Sequence, residues 1–127
     1  MADVNRGNRP LSPHLTVYRP QVTSVLSILH RITGVGLTLG AALAVWWLLA
    51  AATGDDYFSF VDGLLTSWLG HLVLLGLTFS LAYHFCNGIR HLIWDMGYGF
   101  DLEVVENSAK AVVIAAVALT VLIWLIA

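Results

Sequence analysis

The chemically informative residues of this 127-residue chain are ionisable side chains within or next to long apolar segments. They are His30, Arg31, His71, His84, Arg90 and His91. Ionisable groups are costly inside a bilayer, so they indicate function, usually beside a cavity, a cofactor or a partner helix. A neutral imidazole at the depth of His84 suits either a buried hydrogen bond or axial ligation of a haem iron.

The spacing of the histidines limits how a metal could be bound. His91 follows His84 by seven residues, which places both on one helix face about 10 Å apart along the axis. That separation is too long for both to bind one metal, so a second haem ligand must come from another helix. It could be His30, at a similar depth, or a histidine of a partner chain. His71 lies on nearly the opposite face of the helix, and we interpret it as structural.

Ser27, His30 and Arg31 form a polar patch at i, i+3 and i+4. It combines a hydroxyl, a titratable imidazole and a permanent cation where the membrane meets the aqueous phase. A quinone headgroup needs hydrogen-bond donors for its carbonyls and a route for protons beside an apolar slot. Alternatively, Arg31 only anchors the helix at the membrane surface and Ser27 is an ordinary helix-interior hydroxyl.

The composition predicts an integral membrane protein, because 58% of the residues are hydrophobic and only 11% are charged. A net charge of −2 with six basic residues argues against nucleic-acid binding. One cysteine excludes a Cys-rich zinc or iron–sulfur site. We predict an all-α fold with an N-terminal arm (residues 1–22) and a three-helix transmembrane anchor (residues 23–127). The predicted spans cover about 24–52, 64–94 and 108–127.

The basic residues predict the orientation in the membrane. All six precede or open span 1, or flank the connection between spans 2 and 3, whereas the connection between spans 1 and 2 contains only acidic charges. The N-terminus is therefore expected in the cytoplasm and the C-terminus outside. A three-span chain of this size has almost no room for a catalytic domain, so we expect it to work within a complex.

Three motifs in this sequence resemble the cytochrome b subunit of succinate dehydrogenase, the larger membrane anchor of respiratory complex II. They are Arg9-Pro10-Leu11-Ser12-Pro13-His14-Leu15 with Tyr18, then Ser27-Ile28-Leu29-His30-Arg31-Ile32-Thr33-Gly34, and His84-x-x-Asn87-Gly88-Ile89-Arg90-His91-Leu92-x-Trp94-Asp95-x-Gly97. The pairs Asn87-Gly88 and Trp94-Asp95 look more like the alphaproteobacterial and mitochondrial branch of this family. The absence of a transit peptide before these motifs favours a bacterial inner-membrane protein.

The resemblance implies roles for particular residues. His84 would be the axial ligand of haem b, and the second ligand would be a histidine of a companion small anchor subunit. Ser27 and Arg31 would bind ubiquinone, while His30, Arg31 and His91 would lie around the haem propionates. A flavoprotein subunit with FAD would oxidise succinate and pass electrons through an iron–sulfur subunit. The chain would thus be a subunit of an enzyme without activity of its own.

Two alternatives remain open at the level of sequence. The chain could anchor a fumarate reductase or belong to another quinone-linked b-type cytochrome, because the direction of electron flow is not encoded here. It could also be a haem-free structural anchor, in which Ser27, His30 and Arg31 serve only packing and topology. Asp95 could support either the haem region or protonation of the quinone.

Overall fold

All regular elements in the described part of the chain are α-helices. The computed structural model describes residues 17–127, so the motif at residues 9–15 and most of the predicted arm lie outside it. The elements are α1 (Val22–Thr53), α2 (Asp55–Leu65), α3 (Trp68–Asp95) and α4 (Leu102–Ile126). The predicted all-α class is confirmed for the described residues.

Three of the helices are long and apolar enough to cross a membrane, as the sequence predicted. The helices α1, α3 and α4 contain 32, 28 and 25 residues. At about 1.5 Å per residue each exceeds the ~30 Å thickness of a bilayer core. The helices begin and end at somewhat different residues from the predicted spans. The third spanning helix, α4, starts at Leu102, six residues before the start of the predicted third span at residue 108.

The short helix α2 was not predicted from the sequence, which treated residues 55–63 as a connection and joined Leu64 to span 2. Two acidic residues, Asp55 and Asp56, occupy its first turn, where they interact favourably with the helix dipole. Val61 is completely buried and attaches the helix to the bundle. The predicted second span begins at about residue 64, whereas in the structure Leu64 lies in the last turn of α2, which ends at Leu65, and α3 begins at Trp68.

A tight corner separates α2 from α3. Ser67 caps α3, and its Oγ accepts a hydrogen bond from the backbone N–H of Gly70 at 3.1 Å. Gly70 is buried directly against the backbone carbonyls of Leu64 and Leu65, leaving no space for a Cβ atom. The corner therefore depends on a residue without a side chain.

The buried core lies where α3 packs against α1 and α4. Tyr83 is its largest side chain and is 1% exposed. Around it lie smaller apolar residues: Leu26, Ala82, Ala109, Val112 and Ala116. Most other large apolar side chains are exposed, which is expected of helices that face lipid or partner chains.

The hydrogen bonds and packing define two ends of the bundle. At one end, Trp46 and Trp47 of α1 donate hydrogen bonds from Nε1 to Tyr57 Oη and Asp62 Oδ1 of α2. At the other end, the N-terminal turns of α1 and α4 meet the C-terminal turns of α3. We call this second end the basic end, because it carries the basic residues of the described chain: Arg19, Arg31, Arg90 and Lys110.

Candidate functional site

Two hydrogen bonds fix the register between α3 and α1 near the basic end. The hydroxyl of Tyr83 donates to the carbonyl of Leu26 at 2.8 Å. One residue later, Nδ1 of His84 lies 3.1 Å from the carbonyl oxygen of His30, one turn further along α1. The helix backbone of α1 thus supplies two acceptors that hold neighbouring residues of α3. His84 is consequently oriented by a rigid element.

The acceptor at His30 decides the tautomer of His84. A carbonyl oxygen can only accept, so Nδ1 of His84 carries the proton in this contact. Nε2 then keeps its lone pair, and it has no hydrogen-bond partner among the described residues. This arrangement, with one nitrogen bound to a carbonyl and the other available, is typical of a metal-ligating histidine.

The surface of α1 beneath His84 is shaped to receive the imidazole. Gly34 lies so close that a Cβ atom there would be 3.2 Å from Cε1 of the ring. His84 also stacks on His30, with ring centroids 3.7 Å apart and an interplanar angle of 12°. The ring therefore contacts both the backbone of α1 at Gly34 and the imidazole of His30.

A cavity of about 240 Å³ opens next to this pair at the basic end. Four of the residues selected from the sequence line it: Ser27, His30, Arg31 and His91. Arg90, also among the ionisable residues selected from the sequence, lines it as well. Its other lining residues were not predicted as site residues: Thr23, Asn87 and Trp94. The structure therefore brings the patch on α1 and the histidine–arginine motif of α3 together around one space.

Two polar atoms at this cavity are buried without a partner in the described chain. They are Nδ1 of His30 and Oδ1 of Asn87. Asn87 is only 6% exposed, and a buried polar atom left unsatisfied costs about 1–3 kcal/mol. Such atoms are rare in native proteins unless a ligand or water completes them. Both atoms belong to residues that line the cavity, which makes the cavity a candidate binding site for a molecule with hydrogen-bonding groups.

Arg90 is a buried cation that joins α3 to α4. Its Nε donates to Ser108 Oγ at 2.9 Å, and a terminal nitrogen donates to the carbonyl of Val105 at 3.0 Å. The guanidinium also lies 4.0 Å from the centroid of the Trp94 ring, a cation–π contact. The sequence predicted Arg90 as an ionisable residue at the inner end of the second span. In the structure it forms part of the wall of the cavity, held by contacts to Ser108, Val105 and Trp94.

The other two histidines of α3, His71 and His91, lie towards opposite ends of this helix. At the basic end, Nδ1 of His91 is 3.3 Å from Asp95 Oδ2, and both side chains are more than half exposed. At the far end, His71 contacts the carbonyl of Ser67 at 3.0 Å and the edge of Trp124. Within residues 17–127, no cluster of three or more His, Cys, Asp or Glu residues is placed to hold a metal ion.

The sequence matches the family described as succinate dehydrogenase/fumarate reductase transmembrane subunit over residues 5–123. The chain belongs to this family. It is 48% identical over 96% of its length to the succinate dehydrogenase cytochrome b556 subunit of Paracoccus denitrificans, of which it covers 94%. The b556 subunit of Rickettsia prowazekii is 44% identical, with 91% of this chain and 90% of that protein covered. The b560 subunit of Marchantia polymorpha is 40% identical, with 91% and 88% covered.

These relatives confirm the resemblance to the alphaproteobacterial and mitochondrial branch. The chain is a membrane anchor subunit of an oxidoreductase complex and is not catalytic alone. With three apolar helices and bacterial relatives that are membrane subunits, it is a multi-pass protein of the bacterial inner membrane. The family includes subunits of both succinate dehydrogenases and fumarate reductases.

Proposed function

We propose that this chain anchors a succinate:ubiquinone oxidoreductase, binds haem b through Nε2 of His84, and forms part of the ubiquinone site with Ser27 and Arg31. The observation that carries the proposal is the orientation of His84. Its Nδ1 is bound to the carbonyl of His30, and its Nε2 has no hydrogen-bond partner among the described residues. The imidazole of His30, which stacks on His84, lines the cavity at the basic end. The cytochrome b names of the relatives support haem b as the cofactor.

The residues around His84 fit a haem. The imidazole is already the correct tautomer, and its orientation is fixed by α1. His30, Arg31 and His91 line the neighbouring cavity and can donate hydrogen bonds to the two propionates. Haem b, when bound, supplies a one-electron carrier next to the quinone site. The chain's own contribution is to hold the ligand and to neutralise the propionate charges.

A second histidine that holds the haem would come from outside residues 17–127. His30 is stacked face to face on His84, so the two imidazoles would not hold one iron between them. His71 and His91 are 13 and 7 residues away from His84 on the same helix, about 20 Å and 10 Å along its axis. A histidine of a companion small anchor subunit meets the requirement and would place the haem at the interface between the two subunits.

Ser27 and Arg31 suit the reduction of a quinone at the other side of the cavity. The hydroxyl of Ser27 and the guanidinium of Arg31 can donate hydrogen bonds to one quinone carbonyl. Donors aimed at an oxygen that gains negative charge during reduction favour that reduction. His91 and Asp95 lie at the exposed rim, where they can pass protons from the aqueous phase to the bound quinone. Asn87 adds an amide that can accept from the quinol hydroxyl.

The electrons would come from the partner subunits of the complex. A flavoprotein subunit with FAD would oxidise succinate, and an iron–sulfur subunit docked at the basic end would deliver the electrons. The distribution of basic residues supports a cytoplasmic location of this end, with the C-terminus outside. The names of the relatives support succinate oxidation over fumarate reduction as the physiological direction.

The quinone site can be tested with Arg31→Leu and Asn87→Leu in the complex purified from membranes. Each change removes hydrogen bonds to the bound quinone, so we expect the KM for ubiquinone to rise about tenfold, equivalent to about 1.4 kcal/mol. Lys110→Leu is the control, because it removes an exposed charge from the same end outside the cavity. Unchanged ubiquinone kinetics in both cavity variants would contradict the proposed site.

A further inference from the structure

Thr33 is a buried hydroxyl that contacts the imidazole of His84 from α1. Its Oγ1 lies 3.2 Å from Nδ1 of His84 and is itself 2.9 Å from the carbonyl oxygen of His30. The side chain is nearly completely buried. Because the hydroxyl donates its proton to the His30 carbonyl, its oxygen faces Nδ1 as an acceptor. The proton on Nδ1 is therefore shared between two acceptors, one from the backbone and one from Thr33.

A threonine hydroxyl bonded to the carbonyl of the preceding turn is common in helices, and such a bond alone carries no functional meaning. Thr38, on the same helix, makes such a bond to the carbonyl of Gly34 at 3.1 Å and is exposed. Thr33 differs in two respects, since it is buried between α1 and α3 and it reaches a side chain 51 residues away. The two threonines thus provide an internal comparison.

We propose that Thr33 is a positioning residue for His84, and that its hydroxyl fixes the plane of the imidazole and tunes the reduction potential of the group bound at Nε2. An acceptor on the Nδ1 proton raises the basicity of Nε2, which favours the oxidised metal and lowers its reduction potential. Two acceptors also resist rotation of the ring about its Cβ–Cγ bond. This inference rests on the proposed ligation of haem by His84.

The test compares Thr33→Val, Thr33→Ser and Thr38→Val in the purified complex. Thr33→Val keeps the branched shape and removes the hydroxyl, while Thr33→Ser keeps the hydroxyl. The measurements are the midpoint potential of the haem by redox titration and the low-field g value of the oxidised haem by electron paramagnetic resonance. We expect Thr33→Val to bind haem with a raised potential and a displaced g value. Thr33→Ser and Thr38→Val should match the parent.

The inference is overturned if Thr33→Val matches the parent in both measurements, or if Thr33→Ser or Thr38→Val shifts them as much as Thr33→Val does. Should Thr33→Val fail to assemble, Thr33→Cys replaces it, because a thiol is a weaker acceptor and the same shift is expected. His84→Ala separates this inference from the proposed function. If the haem spectrum is unchanged in His84→Ala, His84 is not the haem ligand and the proposed function fails. If His84→Ala loses the haem but Thr33→Val matches the parent, only the role of Thr33 is rejected.

Discussion

Arg90 is buried, with only 6% of its surface exposed, yet it has no acidic partner among the described residues. Its charge is stabilised instead by the hydroxyl of Ser108, the carbonyl of Val105 and the face of Trp94. This arrangement connects the C-terminal turns of α3 to α4 and leaves a positive charge on the wall of the cavity. A fixed cation at that wall favours an anionic group in the cavity, such as a carboxylate of a bound ligand.

We predict that Arg90→Met weakens the attachment of α4 to α3. A hydrogen bond to a charged group contributes about 1.5–3 kcal/mol, so the loss in stability should be about 2 kcal/mol. The measurement is thermal unfolding of the purified complex in detergent. Lys110→Met serves as the control, because this side chain is exposed on α4 and should leave the unfolding temperature unchanged. An equal effect of the two substitutions would contradict the structural role of Arg90.

Several residues of the candidate site could be predicted from sequence and others could not. Ser27, His30, Arg31, His84 and His91 are polar groups in apolar segments, so they were conspicuous. Thr33 and Asn87 do not stand out in the sequence. Nothing there shows that Thr33 contacts His84 or that Asn87 lines the cavity. Their positions depend on the register between α1 and α3, which is fixed by contacts between residues far apart in the chain.

At the scale of elements, the corner between α2 and α3 has the strictest steric requirement. Gly70 packs against the last carbonyls of α2, and a methyl group there would overlap backbone atoms that cannot move independently. We predict that Gly70→Ala displaces α2 and lowers stability by about 1–3 kcal/mol. Gly63→Ala, on α2 itself, has open space around its Cβ position and should not destabilise the protein.

Thermal unfolding of the two variants in the same detergent checks this prediction. If Gly70→Ala unfolds at the temperature of Gly63→Ala, the close approach of α2 and α3 is not required for stability. The comparison controls for the general change in helix propensity, because both variants replace a helical glycine with alanine.

The helix α2 illustrates why element boundaries are harder to predict than spans. The three spanning helices follow from runs of apolar residues long enough to cross a bilayer, which is a property of composition. In contrast, α2 is short and carries three acidic residues, so its sequence resembles a connecting loop. Its helical state depends on the burial of Val61 against the bundle and on the corner at Ser67 and Gly70.

At the scale of the whole molecule, the long helices expose large apolar surfaces, and the few buried residues are mostly small. Such a chain needs lipid and partner subunits to cover these surfaces. The distribution of charge predicts how the bundle is oriented, with the basic end in the cytoplasm. The α1–α2 end carries Asp55 and Asp56 and is predicted to face the periplasm.

The orientation can be checked with single-cysteine variants in intact cells. In a Cys86→Ala background, we expect the thiol introduced by Asp56→Cys to react with a membrane-impermeant maleimide added outside the cells. A cysteine at Asp101, in the connection between α3 and α4, should react only after the membrane is opened. Labelling in the reverse pattern would show that the basic end faces outward and would contradict the predicted topology.

The central claim is that His84 binds haem b. Its most direct test is the dithionite-reduced minus oxidised optical spectrum of the complex purified from membranes, with the parent chain and with His84→Ala. His71→Ala is the matched control, because it removes a histidine from the opposite end of the same helix. We predict a low-spin b-type signal in the parent and in His71→Ala, and its loss in His84→Ala. An unchanged signal in an assembled His84→Ala complex would contradict the account.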